Sequence, residues 1–240
     1  MEFVLDVHTH SLASGHAYST IQEMAKEAAK NGLELLGISE HAPAMPGTCN
    51  EMYFHNLKAI PDEIDGVEML FGIEANIIDF EGGVDTTPRT FDYLDYALAS
   101  FHPGILTPGS SIENTQTYLK VMENPYINII GHPDDSRVPV DYKELVAQAK
   151  ATKTLLEVNN SSLSPISFRS NVRANYKTML TLCAEQGVPI IVNSDAHISF
   201  AVGDLAYAID LLEEIDFPEE LIANESVDRF KYWISLKKNF

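Results

Sequence analysis

The feature that most constrains this chain is a repeat of short apolar, β-branched runs separated by helix-like segments. The runs fall at Phe3–Val7, Glu34–Ile38, Val67–Ile78, Tyr93–Ala99, Tyr126–Ile130, Leu155–Val158 and Pro189–Val192. The clearest helical segments lie at Thr20–Asn31, Asp141–Ala151, Asn171–Gln186 and Gly203–Glu214. Strands that alternate with helices predict a mainly parallel sheet, because parallel neighbours need a crossover between them. Asn31-Gly32 and Gln186-Gly187 punctuate two of the helices, each offering a glycine for a left-handed cap. Seven strands suit a closed or nearly closed barrel better than an open sheet, although periodicity alone leaves a doubly wound sheet open. Pro218–Lys238 reads as a helix with a short helical lead-in, expected to pack across the barrel and close it. No linker, low-complexity stretch or short repeat divides the sequence, so one domain over residues 1–240 is expected.

Composition narrows the function classes. The formal net charge is −19, and a nucleic-acid binder needs a basic surface to displace phosphate counterions. Long nucleic acids are therefore not expected as partners. The two cysteines, Cys49 and Cys183, form no CxxC pair, which argues against thiolate zinc chemistry and a disulfide framework. Cys183, in the run TMLTLCAEQG, reads as a small buried hydrophobe. No apolar run approaches the ~20 residues that span a bilayer. The start MEFVLDVHTH lacks a basic leader, and a cytoplasmic enzyme is the expectation.

The histidines are not scattered. His8 and His10 follow the first strand, with His16 shortly after, and His41 follows the second. Glu74 sits in the third, His102 follows the fourth, His132 the fifth, and Asp195 and His197 the seventh. The C-terminal strand ends are where sites assemble in parallel barrels. In extended chain, residues two apart share a side, so His8 with His10, and Asp195 with His197, can grip one ion together. Imidazoles and carboxylates suit zinc, manganese or iron, and the set is large enough for two or three ions. A lone histidine after a strand is ordinarily structural; it is the repetition at equivalent positions that carries the inference. His55, in MYFHNL, does not follow a strand and is expected outside the site.

The ordered motifs DVHTH, HAYST, SEH, GIEANI, SFH, GHP and NSDAH resemble the polymerase-and-histidinol-phosphatase (PHP) family of metal-dependent phosphoesterases. The likeness runs from residue 3 to about residue 218 and is strongest to the small stand-alone phosphatases of the YcdX type. It implies a distorted, TIM-like (β/α)7 barrel, the PHP fold, with three divalent metal ions, zinc first and manganese or iron as alternatives. By that resemblance His8, His10, Glu74 and Asp195 hold one ion. Glu74 bridges to a second on His102 and His132, and His16, His41 and His197 hold a third.

The expected reaction is hydrolysis of a small phosphorylated substrate by in-line attack of a metal-bridging hydroxide, with Glu74 and Asp195 central to catalysis. A guanidinium fits phosphate oxygens, and Arg169 is preferred over Arg137 and Arg173 because it follows the one strand without a metal ligand. Asp6 is read either as a carboxylate orienting an imidazole or as a structural group. Asn159, Asn160 and Ser161 read first as turn formers. Rival readings are an exonuclease on short oligonucleotides, a non-catalytic metal-binding or regulatory protein, and an amidohydrolase-type barrel. The last commonly places a lysine after the fourth strand, where this chain has Ser100-Phe101-His102. Serine-hydrolase and P-loop motifs are missing. Phe230, Tyr232 and Trp233 could form a homo-oligomer interface, with core packing as the commoner use of such residues.

Overall fold

A computed structural model describes residues 1–237 of the chain. Seven parallel strands neighbour one another in chain order: β1 (Leu5–Asp6), β2 (Leu35–His41), β4 (Val67–Asn76), β5 (Tyr96–Ser100), β6 (Ile129–Gly131), β7 (Leu155–Asn159) and β8 (Ile190–Asn193). A short β3 (Glu63–Ile64) pairs antiparallel with β4, an element the sequence reading had not separated. Asp65-Gly66 makes its turn with both φ angles positive, the pattern of a two-residue hairpin loop. The expected barrel is thus present and nearly closed, because β8 and β1 share no continuous ladder.

Asn224 bridges that seam. Its side-chain oxygen accepts from Val192 N–H at 2.7 Å, and its amide donates to the carbonyls of Val192 and Leu5 at 2.7 and 3.0 Å. Higher up, Val7 N–H donates to Asn193 Oδ1 at 3.0 Å, and Thr9 bridges to Ala196.

Helices pack outside the strands: α1 (Ile21–Lys30), α2 (Glu51–His55), α3 (Pro88–Phe91), α4 (Ser111–Glu123), α5 (Tyr142–Thr152), α6 (Asn160–Leu163), α7 (Val172–Gln186), α8 (Ala206–Glu214) and α9 (Val227–Ser235). Thr20 and Glu23 form a reciprocal capping box at the start of α1, and Gly32 past its end is left-handed, φ 76°. The helix α4 was not singled out by periodicity, yet Ser110 and Glu113 cap it with the same box. Strand starts shifted for local reasons. Tyr126, expected in a strand, instead donates its N–H to Asn124 Oδ1 in a turn.

Alternation along the strands sorts the core into two layers. Leu36, Ile38, Phe71, Ala97, Ile130 and Leu156 face the helices. Leu35, Leu98, Ile129, Leu155 and Ile191 point into the barrel. Tyr96 fills its middle and donates its hydroxyl to Val7 O at 2.7 Å. A Cβ at Gly72 would stand 2.6 Å from the Tyr96 ring, so this strand position has room only for glycine. Below, Phe230 and Ile234 of α9 plug the barrel, with the Phe230 ring edge-on to Tyr96 at 5.8 Å. The C-terminal helix closes the barrel as expected; its anticipated last residue, Lys238, lies outside the described residues. Phe230 is core, whereas Tyr232 is exposed.

Asn224→Ala leaves the backbone groups of the β1–β8 seam unpaired, at about 1–3 kcal/mol for each buried group. A loss of roughly 3 kcal/mol in urea unfolding is expected. An unchanged midpoint would mean that the seam is held elsewhere.

Candidate metal centre

The rim at the C-terminal strand ends inherits the inward parity of the barrel. In β2 the series Leu35, Gly37, Ser39 ends in His41, and in β4 Leu70 and Gly72 lead to Glu74. Leu155 leads to Glu157, and Ile191 through Asn193 to Asp195. The same alternation that buries leucine lower down therefore delivers polar side chains at the top.

Glu74 stands at the centre, fully buried. Its Oε1 lies 2.9 Å from His132 Nε2 and 3.4 Å from the Nε2 atoms of His8 and His102. Its Oε2 lies 2.6 Å from His41 Nδ1 and 3.5 Å from His10 Nε2. Asp195 Oδ1 is 3.3 Å from His10 Nε2, 3.7 Å from His8 Nε2 and 3.5 Å from His197 Nδ1. The His41 ring stacks between those of His10 and His16, at 4.2 and 4.8 Å, and His16 Nε2 meets His197 Nε2 at 3.1 Å. Every side chain that the sequence singled out as a ligand is brought into this cluster. His55 is left outside, its Nε2 3.0 Å from Thr90 Oγ1 and its ring against Tyr93.

These donors fit metal ions. His8 Nε2, His10 Nε2, both ring nitrogens of His41 and Glu74 Oε2 are buried without an aligned hydrogen bond, the short His41 Nδ1–Glu74 Oε2 contact being misdirected for one. Leaving such atoms unpaired costs about 1–3 kcal/mol each. Four overlapping groups, His8–His10–Glu74, His8–His132–Asp195, His41–Glu74–His102 and His10–His41–His197, each have their ligand atoms within 4.8 Å of one another. Imidazole with carboxylate, and no thiolate, is the donor set of zinc, manganese and iron.

A second layer fixes the rings. Glu157 Oε1 accepts from His8 Nδ1 at 2.7 Å, while its Oε2 accepts from His132 N–H at 2.8 Å. His10 Nδ1 sits 3.1 Å from Ser14 Oγ, which in turn donates to Glu40. His102 Nδ1 donates to Asn76 Oδ1 at 2.7 Å, and the Asn76 amide is held by Asp85. Each anchored Nδ1 turns the opposite nitrogen toward Glu74, as outer partners do for metal-binding imidazoles. The sequence reading missed Glu157, Glu40 and Asn76. A signal existed for Glu157, a lone carboxylate in the apolar run LLEVN.

Of the two readings of Asp6 the structural one holds, and Asp6 does not orient His8. Its carboxylate accepts from Ser194 N–H, Ser194 Oγ and Gly203 N–H, and it thereby secures the loop that carries Asp195. That loop and the one after β6 are strained: Asp195 has φ 57° and His132 φ 31°.

Electrostatics follow from burial among carboxylates. Burial works against charge on Glu74, but His41, His8 and His102 outweigh it and hold the carboxyl well below its usual range. Burial likewise opposes charge on His8, yet Glu157, Glu74 and Asp195 raise it well above an ordinary imidazole. Burial, with His41 and His197 beside it, lowers His10, and burial takes His102 down to about 4. Burial thus keeps the His10 and His102 rings neutral, with the free lone pairs that a cation needs, whereas a cation at His8 would have to displace a proton.

Above the cluster opens a pocket of about 660 Å³, whose wall includes Arg169, Asn160, Ser161 and Phe168. Arg169 is largely buried, with Nη1 3.3 Å from Asp134 Oδ1 and Nη2 4.0 Å from Asp195 Oδ2. The other two candidates do not line the pocket: Arg137 pairs with Asp135 behind the Phe168 ring, and Arg173 with Asp210 and Glu214 on the surface. Asn159 does more than form a turn. It caps α6 and also donates to Asp195 Oδ2 at 3.1 Å.

The model of the PHP domain matches residues 6–170, which run from the end of β1 through β7 and include most of the cluster. The chain belongs to the PHP-domain family. A probable phosphatase of Acetivibrio thermocellus is 44% identical over 238 residues, covering 99% of this chain and 98% of that protein. A probable phosphatase of Clostridium novyi is 42% identical over 237 residues, with 99% and 96% covered. Among solved structures, the histidinol phosphate phosphatase of Lactococcus lactis, complexed with zinc, L-histidinol and phosphate, superposes with a TM-score of 0.63 at 19% identity. It covers 89% of this PHP chain and 94% of its own. At that identity the likeness speaks for the fold.

Two outcomes are expected. Glu157→Gln frees the His8 ring and should weaken metal retention roughly 10- to 100-fold, read by competition with a chromogenic chelator; retention equal to the parent would remove Glu157 from this role. In EDTA, His102 at about 4 lies below the ordinary imidazole value, so the unfolded chain takes up the proton first. Its contribution is present above the unfolded value and is lost as pH falls from about 6.5 toward 4. His102→Asn should flatten the fall in urea stability across that window, and parallel profiles would contradict the assignment.

Proposed function

We propose that this chain is a metal-dependent phosphatase that hydrolyses small phosphomonoesters. The observation that carries the reading is the set of orphaned, buried donor atoms around Glu74 at the floor of an open pocket. His8, His10, Glu74 and Asp195 would hold one ion, His102 and His132 with Glu74 a second, and His16, His41 and His197 a third. Zinc is the first choice, given the zinc in the Lactococcus lactis histidinol phosphate phosphatase. Divalent ions in such a cluster lower the pKa of water and neutralise charge on phosphoryl oxygens.

The chain's own groups supply the rest. Asp134 and Asp195 outweigh the burial that opposes charge on Arg169 and keep its guanidinium protonated. Anchored through Nη1 on Asp134 and the carbonyl of His132, Arg169 is preorganised to donate to phosphate oxygens. Glu74 and Asp195 stay ionised, and the net charge of the loaded cluster remains positive, which suits a phosphate dianion. The net charge of −19 for the whole chain disfavours long nucleic acids. No described helix is long and apolar enough to cross a membrane.

Phosphate release from a panel of monoesters with Mn²⁺ or Zn²⁺ tests this reading. Turnover should vanish in the His8→Ala, His10→Ala double variant. Arg169→Ala should lower kcat/KM at least about tenfold while metal content is retained, the loss of a charge-assisted contact. Parent turnover equal to that of the double variant would refute the proposal.

A further inference from the structure

The metal cluster and Arg169 account for one phosphate and leave the upper wall of the pocket without a role. That wall is not what a polyphosphate would select. Its lining is mainly apolar, and Ile166, Phe168, Ile198 and Tyr207 contribute large side chains to it. Ile166 is 94% exposed and Phe168 76% exposed, so both stand at the mouth with their surfaces open to water. Large apolar groups gathered beside polar ones at a pocket mark a binding surface, because exposing them to water is unfavourable.

Phe168 is also oriented. The Arg137 guanidinium lies over its ring at 5.0 Å and that of Arg169 at 5.8 Å. Cation–π contact with Arg169 therefore sets an aromatic face next to the one arginine or lysine that lines the pocket among the described residues. The remaining polar wall, Ser161, Ser164, Ser167, Asn160 and Asp204, carries no second cation that could hold another phosphate. A ligand that places its phosphate at Arg169 then meets carbon surface from two loops. One loop follows α6, with Ile166 and Phe168; the other follows β8, with Ile198.

We infer that the preferred substrates are phosphomonoesters of alcohols with an apolar, ring-sized body, which packs on Ile166, Phe168 and Ile198 while the phosphate sits at Arg169 and the metal cluster. This rests on the phosphatase reading and adds the substrate class to it.

The test compares benzyl phosphate with glycerol 1-phosphate, both esters of primary alcohols, on metal-loaded protein. Calorimetric binding of benzylphosphonate and methylphosphonate, which are not hydrolysed, runs alongside. Benzyl phosphate should be favoured at least about tenfold in kcat/KM, and benzylphosphonate should bind more tightly by a similar factor. Ile166→Ser with Phe168→Ser should shrink both ratios at least about fivefold. Ile166→Ser alone, which keeps the Phe168 ring beside both guanidiniums, should shrink them in the same direction. Both side chains are exposed, so folding is not at stake. Turnover of both esters without a preference, or a preference that survives the double variant, would overturn this inference and leave the phosphatase reading standing. No turnover on either ester and no phosphonate binding would overturn both.

Discussion

The structure depends on keeping one buried carboxylate in company. Glu74 sits at the end of β4 with no exposed surface, in surroundings where an isolated charge would be strongly disfavoured. Imidazoles from β2, from the ends of β1, β5 and β6, and from the loop after β8 converge on it or on its neighbour Asp195. A parallel barrel is suited to this demand, because its strands all end on one face and bring residues distant in sequence within a few ångströms.

The layers below make that convergence rigid. Phe230 and Ile234 seal the lower end, Tyr96 fills the middle, and the cluster occupies the top. Tyr96 links these layers mechanically, since its hydroxyl holds Val7 O directly before His8. Glycine at position 72 lets that ring cross the barrel beneath Glu74. Around the rim, Glu157, Ser14 with Glu40, and Asn76 with Asp85 fix the imidazoles from behind. Backbone strain at His132 and Asp195 is tolerated where this packing over-determines the conformation.

The same geometry separates anchored charge from exposed apolar surface. Groups that hold charge are buried and anchored, as in Arg169 on Asp134. Large apolar side chains stand exposed on the loops above, as Ile166 and Phe168 do. A rigid barrel with variable loops lets the reacting end stay constant while the specificity changes.

Much of this could be read from residues in order. The alternation of strands and helices predicts the parallel barrel, and histidines at successive strand ends predict the cluster, because both signals are local and periodic. Where the reading left alternatives open or missed a partner, long-range contact was the reason. Asp6 has the right parity to orient His8, but Ser194 and Gly203, far along the chain, claim its oxygens. Glu157 takes that role from β7, two strands away from β1 across the seam, and is visible in sequence only as a carboxylate in an apolar run. Asn224 carries no motif at all and becomes important only because barrel closure sets it between β1 and β8. By itself, then, the sequence determined the kind of fold and the identity of the inner donors, since periodicity and spacing act between near neighbours. Only the tertiary structure decided which partners orient those donors, which arginine reaches the pocket and what closes the barrel, because those depend on groups that meet solely after the chain has folded.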